Sequence, residues 1–263
     1  MKSEGYKFRH ELKFMISEAE KDILIKRLSF FMQADAHAGG NETREDIILE
    51  KCFRQDECTQ KAADSLQSGY MIRSLYFDDR FERAYEEKLA GVESRKKYRI
   101  RIYNCSDKVI KLECKHKEGQ YIHKTAAALT REEADALIAG RYDFLIDRKE
   151  QLCREFYFEC AMNGMAPKVV VDYDRIPFVY PYGDVRITFD CRLRTGMFSG
   201  NFFDNELPVK NVMQPGMLIM EVKFTEYLPE LIRSLLPVAD SAYMAYSKYT
   251  MCLEKKKELS CGY

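Results

Sequence analysis

The sequence predicts an α+β fold, an antiparallel sheet whose apolar face is covered by helices and whose charged face turns inward. Three observations predict it. Several segments alternate charged and apolar residues with the period of two that a strand imposes. Two Ser/Thr-x-x-Glu boxes, Ser17–Glu20 and Thr130–Glu133, open helical stretches. The charged faces carry Arg and Lys interleaved with single Glu residues, where a solvated face would also carry Thr, Ser and Gln.

The elements follow in chain order. Residues 6–16 alternate in character and read as a first strand. Residues 17–33 read as an amphipathic helix with Leu24, Leu28 and Phe31 at helical spacing. Residues 36–69 are polar, contain the Gly39-Gly40-Asn41 breaker and read as an insertion or long excursion. Residues 70–78 form a strand, and 80–90 a short helical or irregular piece. Strands at 95–103 and 108–117 flank a turn at 104–107, and 120–127 gives another strand. A helix starts after Thr130. Another spans 149–163 and closes on Gly164, whose lack of a side chain suits a helix C-terminus. Strands at 167–175 and 184–191 follow, then a turn-rich stretch over 192–216 and a last strand at 217–224. Helices occupy about 228–236 and 241–258. The 263 residues suit one domain, and no linker divides them.

Composition narrows the function. Basic and acidic residues balance at 42 each, which argues against a broadly basic nucleic-acid surface. Nine scattered cysteines without a C-x-x-C pair predict reduced thiols, not a zinc site or disulfide framework. The charged N-terminus is no signal peptide, and no apolar run approaches the ~20 residues that span a bilayer. The expected location is cytoplasmic, and action at a membrane would need a membrane-protein partner.

Strand parity then gathers the chemistry. Arg9, Glu11 and Lys13 share one face, opposite Leu12 and Phe14. Lys97, Arg99 and Arg101 oppose Tyr98, Ile100 and Ile102. Lys111, Glu113 and Lys115 oppose Ile110 and Leu112. Arg186, Thr188 and Asp190 oppose Val185, Ile187 and Phe189. Glu221 and Lys223 oppose Met220, Val222 and Phe224, and Arg175 shares the face of Tyr173. Alternation of this kind also fits a sheet with one face in water. Helices numerous enough to cover the apolar face favour the other arrangement, a closed barrel with the charges inside. Such an interior is costly when empty and is relieved by a polyanion, to which Arg offers planar paired contacts and Lys a compact charge.

The segments RHELKF (9–14), SLYFDD (74–79), YRIRIY (98–103), KLECK (111–115), Lys124, VDYDR (171–175), RITFD (186–190), MEVKF (220–224) and SKY (247–249) together resemble the VTC-domain branch of the triphosphate tunnel metalloenzymes. The resemblance runs from residue 8 to about 250. It implies a closed antiparallel barrel of about eight strands, a triphosphate tunnel surrounded by α-helices. It also implies polyphosphate binding inside that tunnel, Mn²⁺ or Mg²⁺ as cofactor, and transfer of the terminal phosphoryl group of ATP to a growing polyphosphate chain. By the same resemblance Lys13, Arg99, Arg101, Lys115, Lys124, Arg175, Arg186 and Lys248 are phosphate-binding; of these, Arg99, Arg101, Lys115 and Arg186 are the expected catalytic set that holds the reacting phosphates. Tyr173 is the tunnel tyrosine, Lys223 fits the strand pattern, and Glu221 is the metal carboxylate, with Glu11 and Glu113 as further metal candidates. The expected partners are ATP, polyphosphate, triphosphate or pyrophosphate, and no nucleic acid. Eukaryotic polymerases of this family carry an additional N-terminal regulatory domain and membrane partners; neither is visible here. Two rival readings use the same scaffold, a triphosphate or nucleotide hydrolase and a non-catalytic polyphosphate-binding module.

Overall fold

The structure, a computed structural model, describes residues 10–34, 69–119, 121–196, 201–236 and 246–261. The expected excursion at 36–69 therefore lies almost wholly outside the described residues, as do Arg9 and residues 241–245. Strand β1 (His10–Ser17) leads into helix α1 (Glu18–Leu28), the short β2 (Gln33–Ala34), β3 (Tyr70–Asp78) and α2 (Arg83–Leu89). Then come β4 (Ser94–Tyr103), β5 (Ser106–Glu118), β6 (Tyr121–Leu129), α3 (Arg131–Ile138) and α4 (Gln151–Asn163). The chain continues through β7 (Ala166–Tyr180), β8 (Val185–Gly196), β9 (Val209–Asn211), β10 (Met217–Phe224), α5 (Glu230–Leu235) and α6 (Lys248–Cys261). Among the described residues no helix is long and apolar enough to cross a membrane.

All strand pairs are antiparallel. The main path runs β1-β10-β8-β7-β3-β4-β5-β6, with β2 attached to β7 and β9 to β8. Among the described residues no ladder of backbone hydrogen bonds joins β6 to β1. The sheet wraps round instead until Lys115 of β5 meets Glu11 of β1 at 2.8 Å, so side chains bridge the two edges of the tunnel.

Both capping boxes form. The Ser17 hydroxyl accepts from the Glu20 N–H at 3.2 Å while the Glu20 carboxylate accepts from the Ser17 N–H at 2.7 Å, and Thr130 and Glu133 repeat the exchange. Each such cap stabilises its helix by about 1 kcal/mol. Gly164 ends α4 at φ +65°, where a side chain would be strained. Helix α1 stops at Leu28, earlier than residue 33, and leaves Phe31 about half exposed.

Helices do cover the apolar face. Tyr98, Ile100, Ile102, Leu112 and Cys114 pack beneath Leu137, Leu152 and Phe156 of α3 and α4. Phe14, Ile16, Ile187, Phe189, Met220 and Val222 pack beneath Leu24, Ile25 and Leu28 of α1 and Ile232 of α5. The C-terminal helix departs from that pattern. Tyr249, Cys252 and Leu253 of α6 pack against Ile72, Tyr76, Val169, Val171 and Tyr173, which share the face of the arginines. The inner face is therefore apolar at one end, and α6 fills it.

Two strands outrun their expected ends. β7 continues past residue 175 to Tyr180, through Pro177. β3 has stopped at Tyr70, opposite Arg175, and β2 ends at Ala34, opposite Phe178, so among the described residues Pro177 lies between these two pairings on that side of β7 and needs no N–H partner there. β8 continues past 191 to Gly196 through a bulge at Arg192, which takes φ +50° while the register against β7 shifts. The extra residue reverses parity, so Leu193 joins Asp190 on the inner face and the simple alternation is lost from the sequence.

Candidate functional site: a charged lumen

The pleat of eight strands aims one set of side chains inward, and their charges pair around four carboxylates. Glu113 of β5 is buried. Arg99 donates Nε and Nη2 to its Oε2 at 2.9 and 2.7 Å, Lys124 donates to Oε1 at 3.1 Å, and Arg101 Nε lies 3.8 Å away. Arg99 also donates Nη1 to the Tyr76 hydroxyl at 2.7 Å, and Arg101 donates to Ser74 and Tyr173 at 3.3 and 3.2 Å. Burial works against the Glu113 carboxylate, yet Arg99, Arg101 and Lys124 outweigh it and hold the group ionised far below the usual range.

Glu11 of β1 accepts from Lys115 at 2.8 Å and lies 3.0 Å from Lys13. Burial opposes its charge, and Lys115, Lys13 and Lys223 restore it, leaving its pKa well below normal. Burial in turn pulls the Lys115 ammonium down to about 8.

Glu221 of β10 and Asp190 of β8 share one ammonium. Lys248 Nζ lies 2.5 Å from Glu221 Oε1 and 2.6 Å from Asp190 Oδ2. Arg175 clamps Asp190 with two bonds of 2.7 Å and reaches Glu221 at 3.5 Å. Lys223 and Lys13 stand 3.1 and 3.6 Å from Glu221. Desolvation would neutralise Glu221, but Lys248, Lys223, Lys13 and Arg175 keep its pKa well below normal. The same cluster holds the Lys248 ammonium well above the ordinary lysine value despite burial.

The predicted residues thus converge. Lys13 links the Glu11 and Glu221 clusters, and Arg101 reaches Tyr173. Arg186 faces the lumen opposite Lys223 in register, with its Nη2 3.4 Å from the Tyr70 hydroxyl. Lys124 sits at the margin, its side chain 51% exposed. Lys248 would read as a solvated helix residue from its sequence alone; it is the first residue of α6, packed inward and only 9% exposed.

Two participants lay outside the predicted set. Asp190 is fully buried and binds both Arg175 and Lys248. Tyr76 accepts from Arg99, and its hydroxyl is driven to lower pKa by Arg99 and Arg101 against the effect of burial. Strand parity places both on the inner face, so that signal was present. What it lacked was the path of α6, which brings a cation to Asp190 and stacks Tyr249 on Tyr76 at 5.1 Å.

The carboxylates can be tested against a divalent metal. Among the described residues no three His, Cys, Asp or Glu side chains gather as a self-sufficient metal site. A Mg²⁺-like ion needs only one or two carboxylates when phosphates and waters complete its shell. Glu11 and Glu221 meet that demand, since both flank the Lys13 ammonium and oxygen donors suit a hard ion. Glu113 offers the same oxygen donors, and in all three residues both carboxylate oxygens lie against cations that an ion would have to displace or share.

Comparison with known proteins places this chain in a family. No curated protein matches the sequence. Solved structures with similar chain paths include a Hippeastrum protein described as having a dominant triphosphatase activity. It is 13% identical, with 94% of this chain and 95% of that one covered and a TM-score of 0.49. A Bacillus halodurans protein is 12% identical over 92% and 95%, with a TM-score of 0.43. A Pyrococcus horikoshii protein is 11% identical over 90% and 96%, with a TM-score of 0.42. The VTC domain pattern matches residues 8–256, nearly the whole sequence, and the chain belongs to the VTC domain family.

Proposed function

We propose that this protein is a polyphosphate polymerase, transferring the γ-phosphoryl group of ATP to the end of a polyphosphate chain held in the lumen. One observation carries the reading. Cations from β1, β4, β5, β7, β8, β10 and α6 converge on one enclosed space and outnumber the carboxylates set among them. A lumen built this way is stable only because acids partly neutralise it, and it is completed by a ligand carrying many negative charges.

In this reading Arg99, Arg101, Lys115 and Arg186 hold the oxygens of the reacting phosphates. Lys13, Lys124, Arg175, Lys223 and Lys248 surround the rest of the chain, with Tyr173 as a hydrogen-bonding wall. The terminal oxygen of the chain attacks the γ-phosphorus, a new P–O bond forms, and the bond to the β-phosphate oxygen breaks with its electron pair leaving on ADP. No protein nucleophile is required, so the side chains act by alignment and charge neutralisation. When bound at Glu221 and Glu11, Mn²⁺ or Mg²⁺ supplies further charge neutralisation to the phosphate oxygens.

The test is to incubate the purified protein with ATP and Mn²⁺ and resolve the products. Long-chain polymer with matching ADP is the expected result. Free phosphate without polymer would replace the reading by hydrolysis on the same scaffold, and tight polyphosphate binding without turnover would replace it by a binding module.

A further inference from the structure

The lumen face of β4 and β5 carries a second set of cations whose cross-strand neighbours are also cations. Register places Arg95 opposite Lys117 and Lys97 opposite Lys115, and across the next pair Lys115 opposite Lys124. Like charges directly opposite weaken a sheet. One rung further in, the same two strands set Arg99 against Glu113, the arrangement that satisfies the sheet by itself.

Most of the excess is compensated sideways. Lys115 has Glu11 at 2.8 Å and Lys124 has Glu113 at 3.1 Å. Lys97 is different. Among the described residues it forms no ion pair; its ammonium donates to the Ser247 hydroxyl at 2.9 Å and lies 5.2 Å from the Tyr249 ring centre. An ammonium has three donors, and Ser247 takes one while fixing where the other two point. Burial, then Lys13, Arg95, Lys115 and Lys88, push the Lys97 ammonium well below the ordinary lysine range. Lys88, at the end of α2, is pulled down by burial and by Arg95, Lys13 and Lys117. A neutral side chain of the same length would serve packing better than an uncompensated charge, so packing does not account for a lysine here.

We infer that Lys97, with Lys88, Arg95 and Lys115 around it, forms a further phosphate subsite one rung beyond Arg99, which takes an oxyanion of the chain that the Arg99–Arg101 site does not reach. The inference rests on the reading of the lumen as a polyphosphate site. Side chains two residues apart on a strand are about 7 Å apart at the backbone, so simultaneous contact with Arg99 and Lys97 selects for a chain over a single phosphate.

Calorimetric titration of wild type, Lys97→Met, Lys97→Arg and Arg99→Ala with long-chain polyphosphate and with inorganic phosphate, alongside melting of each ligand-free protein, tests it. Lys97→Met should weaken long-chain binding roughly tenfold or more, with a ligand-free melting temperature equal to or above wild type. Lys97→Arg should keep most of the affinity. Long-chain affinity of Lys97→Met within twofold of wild type would overturn the subsite, while loss of binding in Arg99→Ala would leave the lumen reading standing. A lower melting temperature in both Lys97 variants would mark the residue as structural and also overturn it. Failure of wild type to bind polyphosphate at all would remove both readings.

Discussion

Lys248 opens the C-terminal helix with its ammonium 2.5 Å from Glu221, a residue of the last long strand. The same ammonium touches Asp190 at 2.6 Å, so one cation from a helix neutralises two buried carboxylates from neighbouring strands. Replacing Lys248 by Ala would leave both acids short of a partner in a dehydrated space. The expected cost is about 3–5 kcal/mol, read as a lower denaturation midpoint, together with loss of polymer synthesis. Lys248→Ala melting like wild type would mean that water reaches these carboxylates freely.

Arg99 joins Glu113, Tyr76 and the lumen through one guanidinium. Arg99→Ala should lower turnover of ATP roughly a hundredfold or more. Tyr76→Phe removes only a hydroxyl that accepts from Arg99 and should cost far less. Steady-state rates with ATP and Mn²⁺ compare the two, and equal losses would contradict the division of roles.

Chelation should separate binding from chemistry. The lumen cations are covalently part of the chain, whereas the proposed ion at Glu221 and Glu11 is removable. Exhaustive treatment with EDTA should abolish turnover while polyphosphate still binds, as a fluorescent or calorimetric titration would register. Turnover persisting after chelation would remove the metal from the proposal.

The Lys115 ammonium gives a pH signature. Burial first, and then Lys13 and Lys223, lower it to about 8 against the opposing pull of Glu11. Its folded-state value lies below the unfolded lysine value of about 10.4, so between these two the unfolded chain binds more protons. Ligand-free stability should therefore gain from this group as pH rises from about 8 toward 10.4, and below 8 the group contributes no slope. Polyphosphate affinity should move the other way over that window, because the ammonium that binds it is lost. Denaturation and binding curves at successive pH values test both signs, and Lys115→Arg should remove much of the affinity loss.

Arg73 offers a control outside the lumen. It forks Asp172 at 3.0–3.2 Å and donates to the backbone carbonyls of Phe202 and Asp204, with both side chains about 1% exposed. Arg73→Leu should destabilise the fold by about 3–5 kcal/mol, while the rate per folded molecule stays near wild type. A selective loss of rate at unchanged stability would give Arg73 a role that its position on the outer face does not suggest.

Strand parity alone determined which side chains share a face of their strand, and the wrapping of the sheet made that face a lumen. Arg99 with Arg101, Glu113 with Lys115 and Glu221 with Lys223 could be placed on one face because alternation is a local property of extended backbone, and Ser17–Glu20 and Thr130–Glu133 marked helix starts because a capping box closes within four residues. Three things waited for the tertiary structure. The bulge at Arg192 and the continuation through Pro177 depend on where neighbouring strands begin and end. The inward path of α6 depends on the apolar inner positions Ile72, Val169, Val171 and Tyr173, which lie far from it in the chain. The ownership of each carboxylate, with Asp190 taken by Arg175 and Lys248 while Lys97 keeps none among the described residues, depends on distances of a few ångströms between segments that no sequence spacing encodes. Charge pairing falls off over that range and is set by burial, so only the folded chain decides it.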